Sequence, residues 1–212
     1  WRIVTRAPVV FWRTSSMRPL PNPSALGDVS LLWRFVNVPP PDQPLVLAWL
    51  LEALRPETPF PVLELVGMQG SAKSSSQERL RSIIDPNAVP LRAAPKSVED
   101  LFVSAGANWL ASFNNLSHLS GSSQDALCSL ATGGGYASRT LYQNQGETVF
   151  EAKRPVVLNG IAPVVTQQDL TDRVIHLELP PLERYLAEAA LSREFELTAP
   201  AILGGLLDLF AA

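Results

Sequence analysis

Cysteine and histidine are nearly absent from this chain: one cysteine, Cys128, and two histidines among 212 residues. A single thiol excludes an internal disulfide, and with two imidazoles it leaves no obvious zinc set. Both facts fit a reducing cytoplasm, which is the expected location. Long apolar runs are missing as well. The most apolar stretch, residues 44–54 (PLVLAWLLEAL), is too short to span a bilayer and reads as a buried helix, so no membrane partner is expected. Nor is there an excess of positive charge. Lys and Arg number 17 against 20 Asp and Glu, a net charge of −3, so the chain has no general attraction for nucleic acid and any DNA contact needs a local basic patch. No signal peptide is visible and the chain starts at Trp1, which we read as a piece of a longer protein.

What is present suits a globular α/β chain: 46% apolar and 17% charged residues. The prolines fall mostly in the first 95 residues and predict an irregular front end before a regular core. Short strands are expected at Arg2–Thr5 and Val9–Trp12, then a short helix at Val29–Phe35 and an apolar helix at Leu45–Leu54. Beyond residue 58 the pattern alternates. Strands are expected at Val62–Val66, around Leu91–Arg92, at Trp109–Phe113, Val156–Leu158 and Val174–Leu179. Helices are expected at Lys73–Ile84, Val98–Ala105 and Ser123–Leu130, with a hairpin pairing Arg139–Tyr142 and Thr148–Glu151. The tail reads as two helices, Leu182–Phe195 and Pro200–Phe210. The whole predicts a three-layer α/β/α core at 59–181 on a mainly parallel sheet, with a front segment at 1–58 and a lid-like helical segment at 182–212.

The most informative stretch is Gly67-Met-Gln-Gly-Ser-Ala-Lys73-Ser74, which follows a buried strand and opens a helix. That setting makes a P-loop, in which backbone N–H groups and a helix N-terminus face the phosphates of ATP. Lys73 supplies a point charge and Ser74 a hydroxyl ligand for Mg²⁺, while Gly67 and Gly70 allow the tight turn. Gln69, Ser71, Ala72 and Ser75 complete the expected cradle. Ala72 stands where glycine is usual, and its methyl is expected to be tolerated on a negative φ. The alternative is a Gly/Ser-rich connection that holds nothing.

The second strand of such a site ordinarily ends in a carboxylate that holds Mg²⁺. Here Trp109-Leu-Ala-Ser-Phe113 ends in Asn114-Asn115, which bring oxygen acceptors but no charge and no base. Nucleotide binding with slow hydrolysis is one outcome, and a plain turn after the strand is the other. Asp125 and Glu64 are candidate replacement carboxylates, though neither sits at a strand end and each reads as structural.

Taken together, GMQGSAKSSSQERLRSIIDPN, NNLSHLS, DALCSLATGGGYASRTLY, RPVVLNGI and DLTDRVIHLELPPL resemble a bacterial family of ATP-binding proteins associated with phage and plasmid primase modules. Its core is similar to superfamily III helicases within the AAA+ group. The resemblance covers residues 60–182 and extends weakly to both ends. It implies an AAA+ P-loop domain, ATP and Mg²⁺ as ligands, a homo-oligomer, and DNA and a primase or other replication protein as partners. The GSAKS form is common in that family. An Asp-Asn pair is expected at 114–115, so Asn114 departs from the pattern at the metal position, and Asn115 takes the position that commonly helps orient or activate the attacking water.

The resemblance further implies that Asn159 is the polar sensor and Arg173 an arginine finger acting on a neighbouring subunit's nucleotide. For Arg173 the plainer reading is a surface pairing with Asp172 or Asp169. Arg193 is the sole candidate for a second, basic sensor. Arg139, Lys153 and Arg154, with Tyr136 and Tyr142, occupy the segment that projects toward the channel in related helicases, and could equally be a solvated face. Two functions follow: a DNA-associated ATPase of a mobile element, or a nucleotide-gated assembly module with little hydrolysis. A small-molecule kinase would need an arginine-bearing lid, which the acidic, leucine-rich tail does not resemble.

Overall fold

The computed structural model describes residues 1–139, 147–182 and 187–212; for 135–139 and 147–151 it describes the backbone alone. Its centre is a four-stranded, wholly parallel sheet. The strands β1 (Val62–Val66), β2 (Ala111–Leu116), β5 (Val156–Gly160) and β6 (Val174–Glu178) lie in the order β2-β5-β1-β6. All residues of β1 and β5 are buried, as near-continuous apolar runs require when both faces are covered. The expected strand near Leu91–Arg92 is reduced to one parallel bridge, Arg92 to Phe113, at the open edge of β2.

Helices fill both faces. On one, α1 (Gln43–Glu52), α2 (Lys73–Ile84) and α6 (Glu188–Ala211) share a core with the 3₁₀ turn Val29–Arg34, built on Leu32, Trp49, Leu80, Ile83 and Ile202. On the other, α3 (Val98–Ala107), α4 (Gly121–Thr132) and the one-turn α5 (Gln168–Thr171) cover Phe113, Val156 and Leu158. Serine side chains start α3 and α4, with Ser97 accepting from Asp100 N–H at 3.1 Å and Ser120 from Ser123 N–H at 3.1 Å. The result is the expected three-layer α/β fold.

Several expected elements differ. Residues 1–13 form no strand and are exposed throughout; a lone hairpin has no sheet to join, and two strands by themselves are marginal in water. The later hairpin pairs β3 (Gly135–Arg139) with β4 (Glu147–Glu151), so its first arm begins before Arg139. Gly133, at φ +97°, caps α4 and turns the chain straight into that arm. Tyr142 falls outside the described residues, as does part of the expected helix at Leu182–Phe195.

The tail is one helix, not two, with Pro200 inside it. Its carbonyls at Pro200 and Ala201 also accept from the front segment, from Ser24 N–H at 2.8 Å and Asp28 N–H at 2.9 Å. That contact relies on glycine. A methyl on Gly205 would lie 2.4 Å from the Val29 nitrogen, and one on Gly204 2.0 Å from the Ser24 oxygen. Phe35 meets Phe195 edge to face at 5.3 Å nearby. Gly205→Ala is therefore expected to lower stability by about 1–3 kcal/mol through overpacking against backbone. Gly106→Ala, whose methyl meets nothing within 4 Å, should instead gain up to about 1 kcal/mol. Urea denaturation of the two variants checks this, and equal shifts would contradict the packing described.

Candidate functional site

In a parallel sheet every strand ends on the same edge, so the segments after β1, β2 and β5 converge. After Val66 the chain makes the loop 67–72 and enters α2 at Lys73. Leu179 N–H reaches back to Val66 O at 2.7 Å, and Leu182 N–H to Gly70 O at 3.2 Å, so the β6 exit braces the loop. Gly67 is fixed by closeness: a Cβ there would lie 2.5 Å from Leu179 O. Gly70 has φ +85°. Ser71 is buried, and its hydroxyl donates to Met68 O at 2.9 Å, closing the turn. Gln69 is exposed at the loop's crest.

Ala72 departs from expectation. Its φ is +55° and ψ +27°, the left-handed region, because it is the last non-helical residue before α2 and must reverse the chain into it. For an L-residue that conformation costs roughly 1–2 kcal/mol. Ala72 gives α2 no side-chain cap, and the helix has no acid in its first turn, so the first-turn N–H groups carry an uncompensated positive field. Lys73 curls over the loop, donating to Met68 O at 2.9 Å and lying 3.4 Å from Ser71 Oγ. Partial desolvation pushes its pKa below the usual lysine value.

The two asparagines after Phe113 lie within β2 and not in a turn beyond it. The pairing of β2 with β5 shifts register between Phe113 and Leu116, and Asn115 takes a positive φ of 56°, which asparagine accepts more readily than most residues. The Asn114 N–H is held by Arg92 O at 2.7 Å. The kink aims the Asn114 side chain at α2, where its Oδ1 accepts from Ser74 Oγ at 2.7 Å and from Asn159 Nδ2 at 2.7 Å. Asn159, buried at the end of β5, also donates to Gln77 Oε1 at 2.6 Å and accepts from Asn115 N–H at 2.8 Å. Gln77 in turn donates to Ser112 Oγ and Phe113 O. One neutral network thus joins the loop helix to the ends of β2 and β5.

Above it lies a cleft of about 740 Å³. Gln69, Gly70, Ala72, Lys73, Ser74 and Ser75 line it together with Asn115 and Asn159, whereas Gly67 and Ser71 of the expected cradle are buried and, like Asn114, are not part of the lining. The rest of its lining comes from outside the motifs and is mixed: Trp33, Val38, Leu182 and Leu191 give apolar surface, and Arg34, Asn37, Gln43 and Arg79 are polar. Glu188 also borders it, but its carboxylate is paired with Arg79 at 2.7 Å.

Other expected residues stand elsewhere. Glu64 is buried and committed to the fold: it accepts from Val164 N–H at 2.7 Å and Val165 N–H at 3.2 Å and meets His176 Nδ1 at 3.0 Å. Asp125 is exposed on α4, and Arg193 is exposed on α6, outside the cleft lining. Arg173 is exposed just before β6, at the amino edge of the sheet, about 16 Å of strand away from the loop. Its guanidinium donates to the Asp169 carbonyl and not to either neighbouring carboxylate. Arg154 is half-buried, its Nε donating to Ala105 O at 3.0 Å and Asn108 O at 2.9 Å, with the guanidinium stacked 5.3 Å from the Trp109 ring. Burial lowers its pKa from the ordinary arginine value. The Lys153 ammonium lies 5.9 Å from the Phe60 ring. The side chains of Arg139 and Tyr136 lie outside the described residues.

Sequence reasoning overlooked Gln77 and Asn37. Gln77 sits one turn after Lys73 and so faces the sheet, a spacing readable in advance. Asn37 is a polar residue between buried Val36 and Val38, which marks a side chain with a specific partner. As a test of the strained loop, Ala72→Gly should raise stability by about 1 kcal/mol by removing the left-handed penalty. A lowered melting temperature would contradict the backbone conformation described.

Among solved structures, the apo C-terminal region of NrS-1 aligns over 92% of this chain and 48% of that one, at 15% identity and a TM-score of 0.61. A further apo structure of that region aligns over 92% and 49%, at 16% identity and a TM-score of 0.60. JCV helicase aligns over 88% and 52%, at 14% identity and a TM-score of 0.49. The NrS-1 likeness shows the fold, and the chain spans about half the length of the structures it matches. No curated protein matches it. Among the described residues no helix is long and apolar enough to cross a membrane. The family model for actinomycete integrative conjugative element replication proteins matches residues 29–212, and the chain belongs to that family.

Proposed function

We propose that this chain is the ATP-binding domain of a DNA-associated replication ATPase, with the loop 67–72 and the start of α2 holding the triphosphate. The observation that carries this reading is the meeting of an uncapped helix N-terminus, the Lys73 ammonium and the Ser74 hydroxyl at the carboxyl edge of a parallel sheet, beside a partly apolar lining. Amide donors and an ammonium suit phosphate oxygens. Trp33, Val38, Leu182 and Leu191 offer a surface that suits a flat, largely apolar base.

Among the described residues no cluster of three His, Cys, Asp or Glu could hold a metal ion alone. The neighbouring oxygens of Ser74 and Asn114 fit Mg²⁺ that arrives with the nucleotide and keeps phosphate and water in its shell. There it would neutralise charge on the phosphates. Asn159 and Asn115 border the same space and would orient water by hydrogen bonding. Neither can take a proton from it.

Arg173 lies at the opposite edge from the loop of its own chain, which suits action on a nucleotide held by a second copy. A homo-oligomer, with a ring as one form, is therefore part of the proposal. DNA and a primase or other replication protein remain the proposed partners, in the cytoplasm. Asn114 favours a second reading, a nucleotide-gated assembly module in which ATP is held and scarcely hydrolysed.

Three outcomes are expected. Lys73→Ala should abolish ATP binding with little loss of stability, since its side chain makes only loop contacts; titration with Mg²⁺ and a melting curve measure both, and unchanged affinity rules out the site. Asn114→Asp keeps the acceptor geometry and adds charge. A large gain in phosphate release over wild type supports the assembly module, whereas brisk wild-type release that vanishes in Lys73→Ala supports the motor. Arg173→Ala should leave ATP binding intact and lower only assembly-dependent turnover; equal loss in dilute monomer contradicts a role across subunits.

A further inference from the structure

We infer that Asn37, outside every nucleotide motif, is a positioning residue that sets the direction of a phosphate-binding amide in the loop; this rests on the proposed triphosphate site. Asn37 sits between the 3₁₀ turn Val29–Arg34 and α1, and its amide nitrogen donates to two carbonyls on different elements. One is Ser71 O in the loop at 3.0 Å, the other Pro180 O just past β6 at 2.7 Å. Its backbone N–H donates to Ser76 Oγ on α2 at 3.0 Å. A single side chain and its own peptide thus touch the loop, the helix it opens and the β6 exit.

The consequence follows from peptide geometry. A trans peptide is planar, so its C=O and N–H point in opposite directions. Holding the Ser71 carbonyl toward Asn37 therefore turns the Ala72 N–H the other way. That N–H makes no hydrogen bond among the described residues, and Ala72 lines the cleft. Gly70 O is already held by Leu182 N–H, and the Ser71 N–H by Met68 O at 3.3 Å. The Gly70–Ser71 peptide is thus held at both ends, whereas the next peptide, Ser71–Ala72, is held among the described residues through the Asn37 bond, with Ala72 in an unfavourable left-handed conformation. Asn37 supplies the restraint that keeps it there. Asn37 itself borders the cleft, with its amide nitrogen committed to the two carbonyls.

The test compares wild type, Asn37→Ala and Asn37→Leu, the last keeping the bulk without adding charge while removing both N–H donors. Each is titrated with ATP and with adenosine, and its thermal unfolding is recorded. Losing the two donors should weaken ATP binding by about tenfold, with adenosine affinity unchanged, and addition of Ala72→Gly should weaken ATP binding no less. Equal loss for ATP and adenosine, or lowered melting temperature with unchanged ATP affinity, overturns the positioning role and leaves Asn37 a structural tie. Wild type that fails to bind ATP at all marks failure of the site itself.

Discussion

Everything at the candidate site depends on strand direction. Because β1, β2, β5 and β6 run parallel, their carboxyl ends share one edge, and residues far apart in sequence arrive there together. The Asn114 oxygen is where they are tied: it accepts from Ser74 at the start of α2 and from Asn159 at the end of β5. Removing either donor would leave a partly buried amide short of partners, a cost of about 1–3 kcal/mol. The network therefore stabilises the fold and fixes the site geometry at once.

That edge is organised by neutral groups. Asparagine, glutamine and serine satisfy one another by hydrogen bonds, while the buried carboxylate of β1, Glu64, is turned to Val164, Val165 and His176 instead. The arrangement suits holding a negative ligand, since no acid opposes it next to Lys73. It is less suited to activating water, because amides neither bring charge to a metal nor accept a proton. Strain sits close by: Ala72 is held left-handed by a loop whose carbonyls are restrained from Asn37 and Leu182. The front segment and the last helix, joined through Gly204 and Gly205, close the cleft's outer wall.

Much of this was legible from residue pattern. Val62–Val66 and Val156–Leu158 read as buried strands because apolar runs of that length, bounded by breakers, suit a covered parallel sheet, and the helix at Lys73–Ile84 fell within its observed bounds. The misreadings have physical causes. The alternation at Arg2–Thr5 and Val9–Trp12 resembles strand, yet nothing pairs with it. Pro200 suggested a break, but the helix runs through it, and the front segment packs on the turn that follows, with Ser24 and Asp28 donating to the Pro200 and Ala201 carbonyls. Ala72 was expected at negative φ because a side chain ordinarily avoids the left-handed region; the loop's closure overrode that preference. Arg154 carried a charge that suggested a ligand contact, and its neighbours Trp109 and the end of α3 could be known only from the fold. Asn37 belongs to no motif, and only tertiary structure brings it to Ser71.

The proposal that residues 67–74 hold a triphosphate is tested most directly by calorimetric titration of the unaltered chain with ATP, ADP, AMP and adenosine in Mg²⁺. If loop amides and Lys73 grip the outer phosphates, affinity should fall steeply from ATP through ADP and be lost, or nearly so, at AMP. Comparable binding of adenosine and ATP would contradict it, because the cleft would then be recognising the base and not the anion.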